Sequence, residues 1–305
     1  MPPEQLSLFA DLDEEGSSTP KVFLGCPEWA NTDWRGSLFP QRASSAELLG
    51  HYASVFNTVE GNTTFYALPR PELVQRWHEE TPEGFRFCLK FPKRISHELR
   101  LRHVEEEQAL FFRTFAPLEE RLGPLFLQLS AAFGPDALGV LERFLRGLPG
   151  GFRYAVEVRH PEFFRQGEAE QRLEEVLHKH QVARAVFDTT ELFASEATDA
   201  VTQEAQRKKP GVPFRDSVTT DFALVRFVGH LEDARNHEAL ERWAQRVARW
   251  LSEGLTPWCF IHTPGDFTAP ALARTFHQDL RRHLPTLPEL PAFPGEQEPR
   301  QMDLF

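Results

Sequence analysis

Short apolar runs alternate with amphipathic stretches along most of the chain. The runs VFLGC (22–26), NTVEGN (57–62), FRFCLKF (85–91), PLFLQLS (124–130), RYAVEVRH (153–160), ARAVFD (183–188), FALVRFVG (222–229) and WCFIHT (258–263) have the length and the aromatic and β-branched content of strands. Residues 45–54, 71–80, 105–121, 136–147, 168–180, 237–252 and 269–283 repeat apolar positions at helical spacing. The connection 189–220 is poorly patterned, with one helix expected near 195–208 and a Pro- and Gly-containing loop after it. Strand–helix alternation predicts parallel pairing through right-handed crossovers. Eight such units predict closure into a (β/α)8 TIM-type barrel over residues 21–284, an α/β fold of one domain. An open, doubly wound sheet is the alternative.

Alternation within the strands then says which polar residues face inward. Glu157 and Arg159 share a face opposite Val156 and Val158; Glu60, Asn62 and Thr64 share another, as do Arg86, Cys88 and Lys90, and Arg226 with His230. Asp188 ends its strand. Charges are seldom buried unless paired. Lys90, Arg159 and Arg226 against Glu60, Glu157 and Asp188 therefore predict a paired network at the C-terminal mouth, where barrel enzymes place their sites. Read structurally, the same network is a set of ion pairs that closes the barrel top.

Charge changes the picture once it is divided. Of the net −11, residues 1–20 carry −5 and residues 285–305 carry −3, which leaves −3 for residues 21–284. The acidic ADLDEEGSSTP (10–20) and the Pro-rich PTLPELPAFPGEQEPR (285–300) are expected to be disordered spacers. Residues 86–103 hold a local excess of +5, a patch suited to phosphate. Cys26, Cys88 and Cys259 are far apart and form no CxxC pair, so a reduced, cytoplasmic compartment is the simplest reading. No apolar run is long enough to span a bilayer, and no basic-then-apolar leader is present.

Two chemistries compete at the mouth. Glu60, Glu157, His160, Asp188, His230 and His262 are the residue types of a multi-metal hydrolase. Three cations expected on the same surface oppose a divalent ion, and no HxH or HExxH spacing occurs. No metal and no other cofactor is therefore expected, and an anion-binding pocket is preferred, because Arg forks and Lys suit phosphate or carboxylate. In that reading Lys90, Arg159 and Arg226 hold phosphate, Glu157 or Asp188 is the general base, and His97 or His160 donates a proton. Trp29, Trp34 and Tyr66 can stack a base or sugar, or simply pack the barrel top.

Five segments in combination, LGCPEWANTDWRGSLFP (24–40), FNTVEGNTTFYALP (56–69), TPEGFRFCLKFPKRISHEL (81–99), LGPLFLQLS (122–130) and YAVEVRHPEFF (154–164), resemble the YecE-like family, a domain of unknown function numbered 72. The resemblance covers nearly all of residues 21–283 and implies the barrel fold. It also implies a pocket at Trp29, Trp34, Asn62, Thr64, Tyr66, Lys90, His97, Glu157, Arg159, His160, Asp188 and Arg226, without naming a reaction. The chain departs from the family pattern in two loops, with CPEW (26–29) in the first and FIHTPGDFTAPALA (260–273) in the last.

Outside the barrel the ends of the chain repeat one short pattern. Residues 5–9 read Gln5-Leu6-Ser7-Leu8-Phe9 and residues 301–305 read Gln301-Met302-Asp303-Leu304-Phe305. Both resemble the bacterial sliding-clamp-binding pentapeptide, in which the Leu-Phe pair fills an apolar pocket and Gln bonds at its rim. The resemblance implies a DNA polymerase sliding clamp of the bacterial β type as partner. Together with the anion pocket it gives the functional expectation: a clamp-associated hydrolase or lyase of DNA replication or repair, with DNA or a nucleotide at the mouth and no membrane partner. A non-enzymatic clamp-bound scaffold or sensor and a small-molecule metabolic enzyme with incidental tails are the other two classes.

Overall fold

A computed structural model describes residues 21–194 and 196–297. The strands are β1 (Phe23–Gly25), β2 (Thr58–Gly61), β3 (Arg86–Leu89), β4 (Leu125–Gln128), β5 (Tyr154–Glu157), β6 (Ala183–Arg184), β7 (Val186–Asp188), β8 (Phe222–Val228) and β9 (Thr256–His262). The helices are α1 (Leu48–Ala53), α2 (Pro71–Glu80), α3 (Glu105–Phe115), α4 (Leu138–Arg146), α5 (Glu168–Lys179), α6 (Ala200–Lys208), α7 (His237–Ser252) and α8 (Ala269–His283). The helices follow the predicted periodicity. In α7, for example, Leu240, Trp243, Ala244, Val247 and Trp250 form its buried stripe, and Pro71 opens α2 where its missing N–H costs nothing. Among the described residues α6 is the one α-helix of the poorly patterned connection, after a 3-10 turn at Glu191–Phe193.

The fold is α/β with parallel strand pairing in three sheets, ordered β1-β9-β8-β7, β2-β3 and β4-β5-β6. Side chains explain why the ladders stop where they do. Between β1 and β2, Asn57 accepts from the Leu24 N–H and donates to the Val22 carbonyl, both at 2.8 Å, in place of a strand backbone. Tyr52 Oη accepts from the Cys26 N–H and donates to Thr58 O, and the Glu60 N–H reaches Cys26 O at 3.1 Å. The approach is close enough that a Cβ on Gly25 would lie 2.0 Å from Thr58 O, so only glycine fits there. Single parallel bridges join Phe87 to Leu122 and Lys90 to Phe126.

The expected sixth strand is split at Ala185, so β6 pairs with β5 and β7 with β8. Thr219 causes the split. Its hydroxyl accepts from the Arg184 N–H and donates to Val182 O, supplying to β6 what β8 supplies to β7.

A buried cluster drawn from all three sheets (Phe23, Cys88, Phe126, Ala155, Ala183, Ala185, Phe222, Leu224, Trp258, Phe260) fills the space the strands face. Phe23 stacks on Trp258 at 3.8 Å within it. The opposite strand faces pack under the helices in a larger cluster. The three cysteines are buried and free, and burial pushes each thiol up, Cys259 to about 12.

The Pro-rich segment corrects an expectation. Its described part, 285–297, is no spacer: it runs back antiparallel along α8. Arg281 bonds Leu287 O and pairs with Glu289, and Arg274, in the second turn of α8, pairs with Glu296. Leu287 and Phe293 are buried, and the Arg274 guanidinium lies over the Phe293 ring at 3.3 Å. A Cβ on Gly295 would meet Phe39 O at 2.2 Å. Proline reads as a spacer signal, but Leu287 and Phe293 supply apolar surface that α8 and the short α1 leave to be covered. Residues 1–9 and 301–305, with the two pentapeptides, lie outside the described residues.

Replacing Phe293 by Ala is expected to lower unfolding free energy by about 3 kcal/mol, read from urea denaturation followed by fluorescence. A change near zero would mean that the strap contributes nothing to the fold.

Candidate functional site

Toward the C-terminal ends of the strands the facing side chains turn from apolar to polar. Glu60 from β2, Lys90 just after β3, Gln128 from β4, Glu157 from β5, Arg226 from β8 and His262 from β9 are all buried. Alternation makes this layer: Phe126 and Gln128 share one face, as do Ala155 and Glu157, and Leu224 and Arg226.

Arg226 is its centre. Its Nε and Nη2 donate to the two oxygens of Glu60 at 2.7 and 2.8 Å, and its Nη1 donates to Glu157 Oε2. The guanidinium lies 4.6 Å from the Phe187 ring centroid and 5.1 Å from that of Phe126. Arg159 Nε donates to the other Glu157 oxygen at 2.6 Å, and its Nη2 to Gln128 Oε1 at 2.8 Å. Lys90 Nζ donates to that same Gln128 oxygen at 2.7 Å and sits 4.4 Å from the Phe65 ring centroid. His262 Nε2 is 3.3 Å from Glu60 Oε2.

The electrostatics follow from this wiring. Burial opposes ionisation of Glu60, but the Arg226 charge and then His262 outweigh it and hold the carboxyl well below its usual range. Burial likewise opposes ionisation of Glu157, and Arg159, Arg226 and Lys90 together hold it low. Lys90 goes the other way: burial first, then repulsion by Arg226, brings its ammonium down to about 7 against weaker support from Glu157 and Glu60. Both carboxylates are engaged by guanidinium groups, and Lys90 is left with an amide oxygen. His97, half-buried and edge-on to Phe65 at 5.1 Å, is held low by burial and by the facing Lys90 and Arg159 charges, so it is neutral at pH 7.

The structure brings together Glu60, Lys90, Glu157, Arg159 and Arg226 from the expected set, with Thr64 and His97 beside them. Thr64 Oγ1 bonds the Lys90 and Gly61 carbonyls at 2.6 and 2.9 Å and so fixes the turn after β2 against β3. Asn62 donates to Pro27 O and ties the first two loops. Arg226 departs from its expected role. Fully engaged by two carboxylates, it has no free fork for phosphate and acts to position Glu60 and Glu157.

Four further expectations are corrected. Asp188 is not in the network: its carboxylate accepts from Trp243 Nε1 at 2.8 Å and from the Thr190 N–H at 2.9 Å, on the helix side of β7. The parity of ARAVFD places Phe187 among the charges and Asp188 opposite. His160 caps the 3-10 turn at 161–164, its Nδ1 accepting from the Glu162 N–H. Trp34 is wholly buried and donates to Asp266 O at 2.8 Å, so it stacks no ligand. His230 Nδ1 accepts from the Glu232 N–H in the loop after β8. Among the described residues no group of three His, Cys, Asp or Glu is arranged to hold a metal ion.

Tyr66 is 80% exposed at the rim, and Trp29 lies edge-on to Trp77 at 4.9 Å. Trp29 lines a cavity of about 550 Å³ between α1 and α2, with Glu28, Asn62, Leu68, Leu73 and Trp77 among its walls. That cavity lies beside the charged layer and reaches it only at Glu60 and Asn62.

Three residues went unnoticed in the sequence. Gln128 is the shared acceptor for Lys90 and Arg159, and its place in PLFLQLS, two beyond Phe126, carried the signal. The Glu28 carboxyl is raised by burial and by nearby Asp266, and the Lys209 ammonium is lowered by burial in spite of Asp266. Lys209 brings the end of α6 to the same mouth, which no local pattern announces.

Comparison with known proteins agrees with this architecture. The family model described as "Protein of unknown function DUF72" matches residues 23–298. The UPF0759 protein YecE of Escherichia coli K12 is 42% identical over 275 residues, 90% of this chain and 98% of that protein. The UPF0759 protein YunF of Bacillus subtilis is 33% identical over 69 residues, 23% of each chain. A solved DUF72 family protein from Thermotoga maritima superposes with a TM-score of 0.65 at 25% identity, over 86% of this chain and 99% of that one. One from Enterococcus faecalis gives 0.63 at 20% identity over 92% and 100%, a likeness of fold alone.

The wiring makes two stability predictions. Arg226→Met strands two buried carboxylates and is expected to cost about 3–5 kcal/mol; a loss under about 1 kcal/mol in urea titration would remove Arg226 as the organiser. Lys90, at about 7 folded and about 10.4 unfolded, binds fewer protons when folded. Its penalty is therefore full below pH 7 and is relieved as pH rises toward 10. The stability difference between Lys90→Met and the parent should shrink over that range by up to about 1.4 kcal/mol per pH unit. A difference that stays constant from pH 7 to 10 would show that Lys90 does not titrate there.

Proposed function

The chain belongs to the DUF72 family, and we propose that it is a sliding-clamp-associated enzyme, a lyase or hydrolase acting in DNA replication or repair on a nucleic acid or nucleotide. The reading of the fold that goes with it is a closed (β/α)8 barrel in which the three sheets are continuous. It is supported by the Asn57 and Glu60 bonds between β1 and β2, the two bridges from β3 to β4, and the shared segment of β6 and β7.

One observation carries the chemistry: an unsaturated cationic rim beside a saturated charged layer. Lys93, Arg100 and Arg102 are exposed on the loop after β3, and among the described residues none of them is in an ion pair. Arg100, Leu101 and His103 hold positive φ there, 49°, 64° and 52°, a costly backbone for side chains of this size. Arg159, with 15% of its side chain exposed, acts on His97 from the same side of the charge balance as Lys93. In this reading the rim and Arg159 bind phosphate oxygens. Arg226 and Glu60 hold Glu157 in place, and neutral His97 accepts or relays a proton. Recruitment rests on Gln5, Leu6, Leu8 and Phe9 and on Gln301, Met302, Leu304 and Phe305, with Leu and Phe as anchors. The partner is a bacterial clamp, and the compartment this requires is the cytoplasm. No described helix is long and apolar enough to cross a membrane.

A clamp-bound scaffold or ligand sensor is the second reading. It is favoured by the complete internal pairing of Arg226, Glu60 and Glu157, since a saturated network has stability as its first consequence.

Calorimetric titration of the intact chain with a bacterial β-type clamp tests recruitment. Leu8→Ala with Phe9→Ala, and Leu304→Ala with Phe305→Ala, are each expected to weaken binding, by about 10²-fold where both peptides engage one ring. No binding by the intact chain ends the clamp reading.

A further inference from the structure

We propose that the Lys90 amine is a nucleophile that forms an imine with the open-chain aldehyde of a sugar phosphate, free or within DNA. This deepens the lyase reading and rests on it for the phosphate, while the imine itself rests on the placement of one side chain.

Lys90 lies at the end of β3, buried between the Phe65 and Phe126 rings, at 4.4 and 5.7 Å. In an interior this well wired, a lysine kept only for structure would be given a carboxylate. Here each oxygen of Glu60 and Glu157 is taken by Arg226 or Arg159, with His262 at Glu60, and among the described residues the hydrogen-bond partner of Nζ is the oxygen of Gln128, itself shared with Arg159. A neutral amine satisfies this arrangement: one N–H goes to Gln128 and the lone pair remains. The neighbouring guanidinium of Arg226 and the apolar walls favour that neutral form, the two conditions that activate lysine toward carbonyls. Burial and Arg226 repulsion bring the ammonium down to about 7, in keeping with the geometry.

The groups around Nζ match the rest of the step. The lone pair attacks the aldehyde carbon, and the carbonyl π electrons pass to oxygen, which takes up a proton from solvent water. The nitrogen gives up a proton to neutral His97, and the carbinolamine forms. Its hydroxyl then leaves as water with the proton returned by His97, and the C=N bond closes as an iminium. Ionised Glu157 faces that cation, and Arg159 with the Lys93, Arg100 and Arg102 rim receives the phosphate. An iminium at the former aldehyde carbon acidifies the adjacent C–H, which is what a lyase needs to eliminate a phosphate at the next carbon.

The test is reductive trapping on the full-length protein. The chain is incubated with 2-deoxyribose 5-phosphate in one arm and with an oligonucleotide carrying an abasic site in the other. Sodium borohydride then converts any iminium to a stable secondary amine, and peptide mass mapping locates it. An adduct on Lys90, lost in Lys90→Arg while surface lysines label as before, is the expected result. Trapping of the free sugar alone supports the nucleophile and removes nucleic acid from the proposed function. Trapping of the oligonucleotide supports both. Absence of any Lys90 adduct in both arms, with surface lysines labelled, overturns the proposal and leaves clamp binding to be judged by its own titration. Mapping the unaltered chain keeps the test decisive even where Lys90→Arg folds poorly.

Discussion

Arg226 is the interaction on which the rest of the mouth depends. A guanidinium taken out of water must be repaid by carboxylates in good geometry, and only both carboxylates of the layer, Glu60 from β2 and Glu157 from β5, suffice. Three strands from three sheets are thereby pinned to one planar group at their C-terminal ends. Its fork also sets the positions of the others: Glu157 can accept Arg159 only on its remaining oxygen, and Arg159 can reach Gln128 only from there. What is left over is an amine. The chemistry assigned to Lys90 is thus a consequence of how Arg226 is satisfied, because two guanidinium groups outcompete an ammonium for bidentate, planar partners.

Much of this was legible in the sequence because strands impose a period of two. Glu157 and Arg159 in RYAVEVRH, and Arg226 in FALVRFVG, could face inward only together, and they do. The eight runs fell on the observed strands, and α2, α7 and α8 match the predicted bounds. Asp188 failed for a reason of the same kind. A residue ending a strand has no later neighbour to fix its parity, and the Trp243 indole that binds it is 55 positions away. Thr219 was invisible as the breaker of the sixth strand, since a hydroxyl standing in for a ladder looks like any loop threonine. His160 and Trp34 are polar-tipped side chains satisfied locally, by a cap and by a backbone carbonyl, and composition cannot tell such roles from ligand binding.

The strap shows where composition misleads most. Proline and acid counts read as disorder in 285–300, yet Leu287 and Phe293 are the residues that matter, two buried apolar groups spaced along α8 with Arg281 and Arg274 waiting on its surface. Proline here lowers the entropy of an extended segment that packs without a ladder.

The energetics of the layer separate its structural from its chemical part. Glu60, Glu157, Arg159 and Arg226 form two cations against two anions, complete without a fifth charge. Adding Lys90 brings either an extra buried positive charge or a neutral amine on an apolar seat, and a Met of similar length would fit the Phe65 and Phe126 walls without that cost. His97 is depressed by the same field, so its presence beside Lys90 raises the electrostatic cost of protonating either. A lysine brought down to about 7 and a histidine held below its usual range, both facing a fixed carboxylate, are poorly chosen for stability and well chosen for moving a proton while a nitrogen attacks. The ion pairs explain how the mouth is held together; the lysine they exclude is the part that stability does not explain.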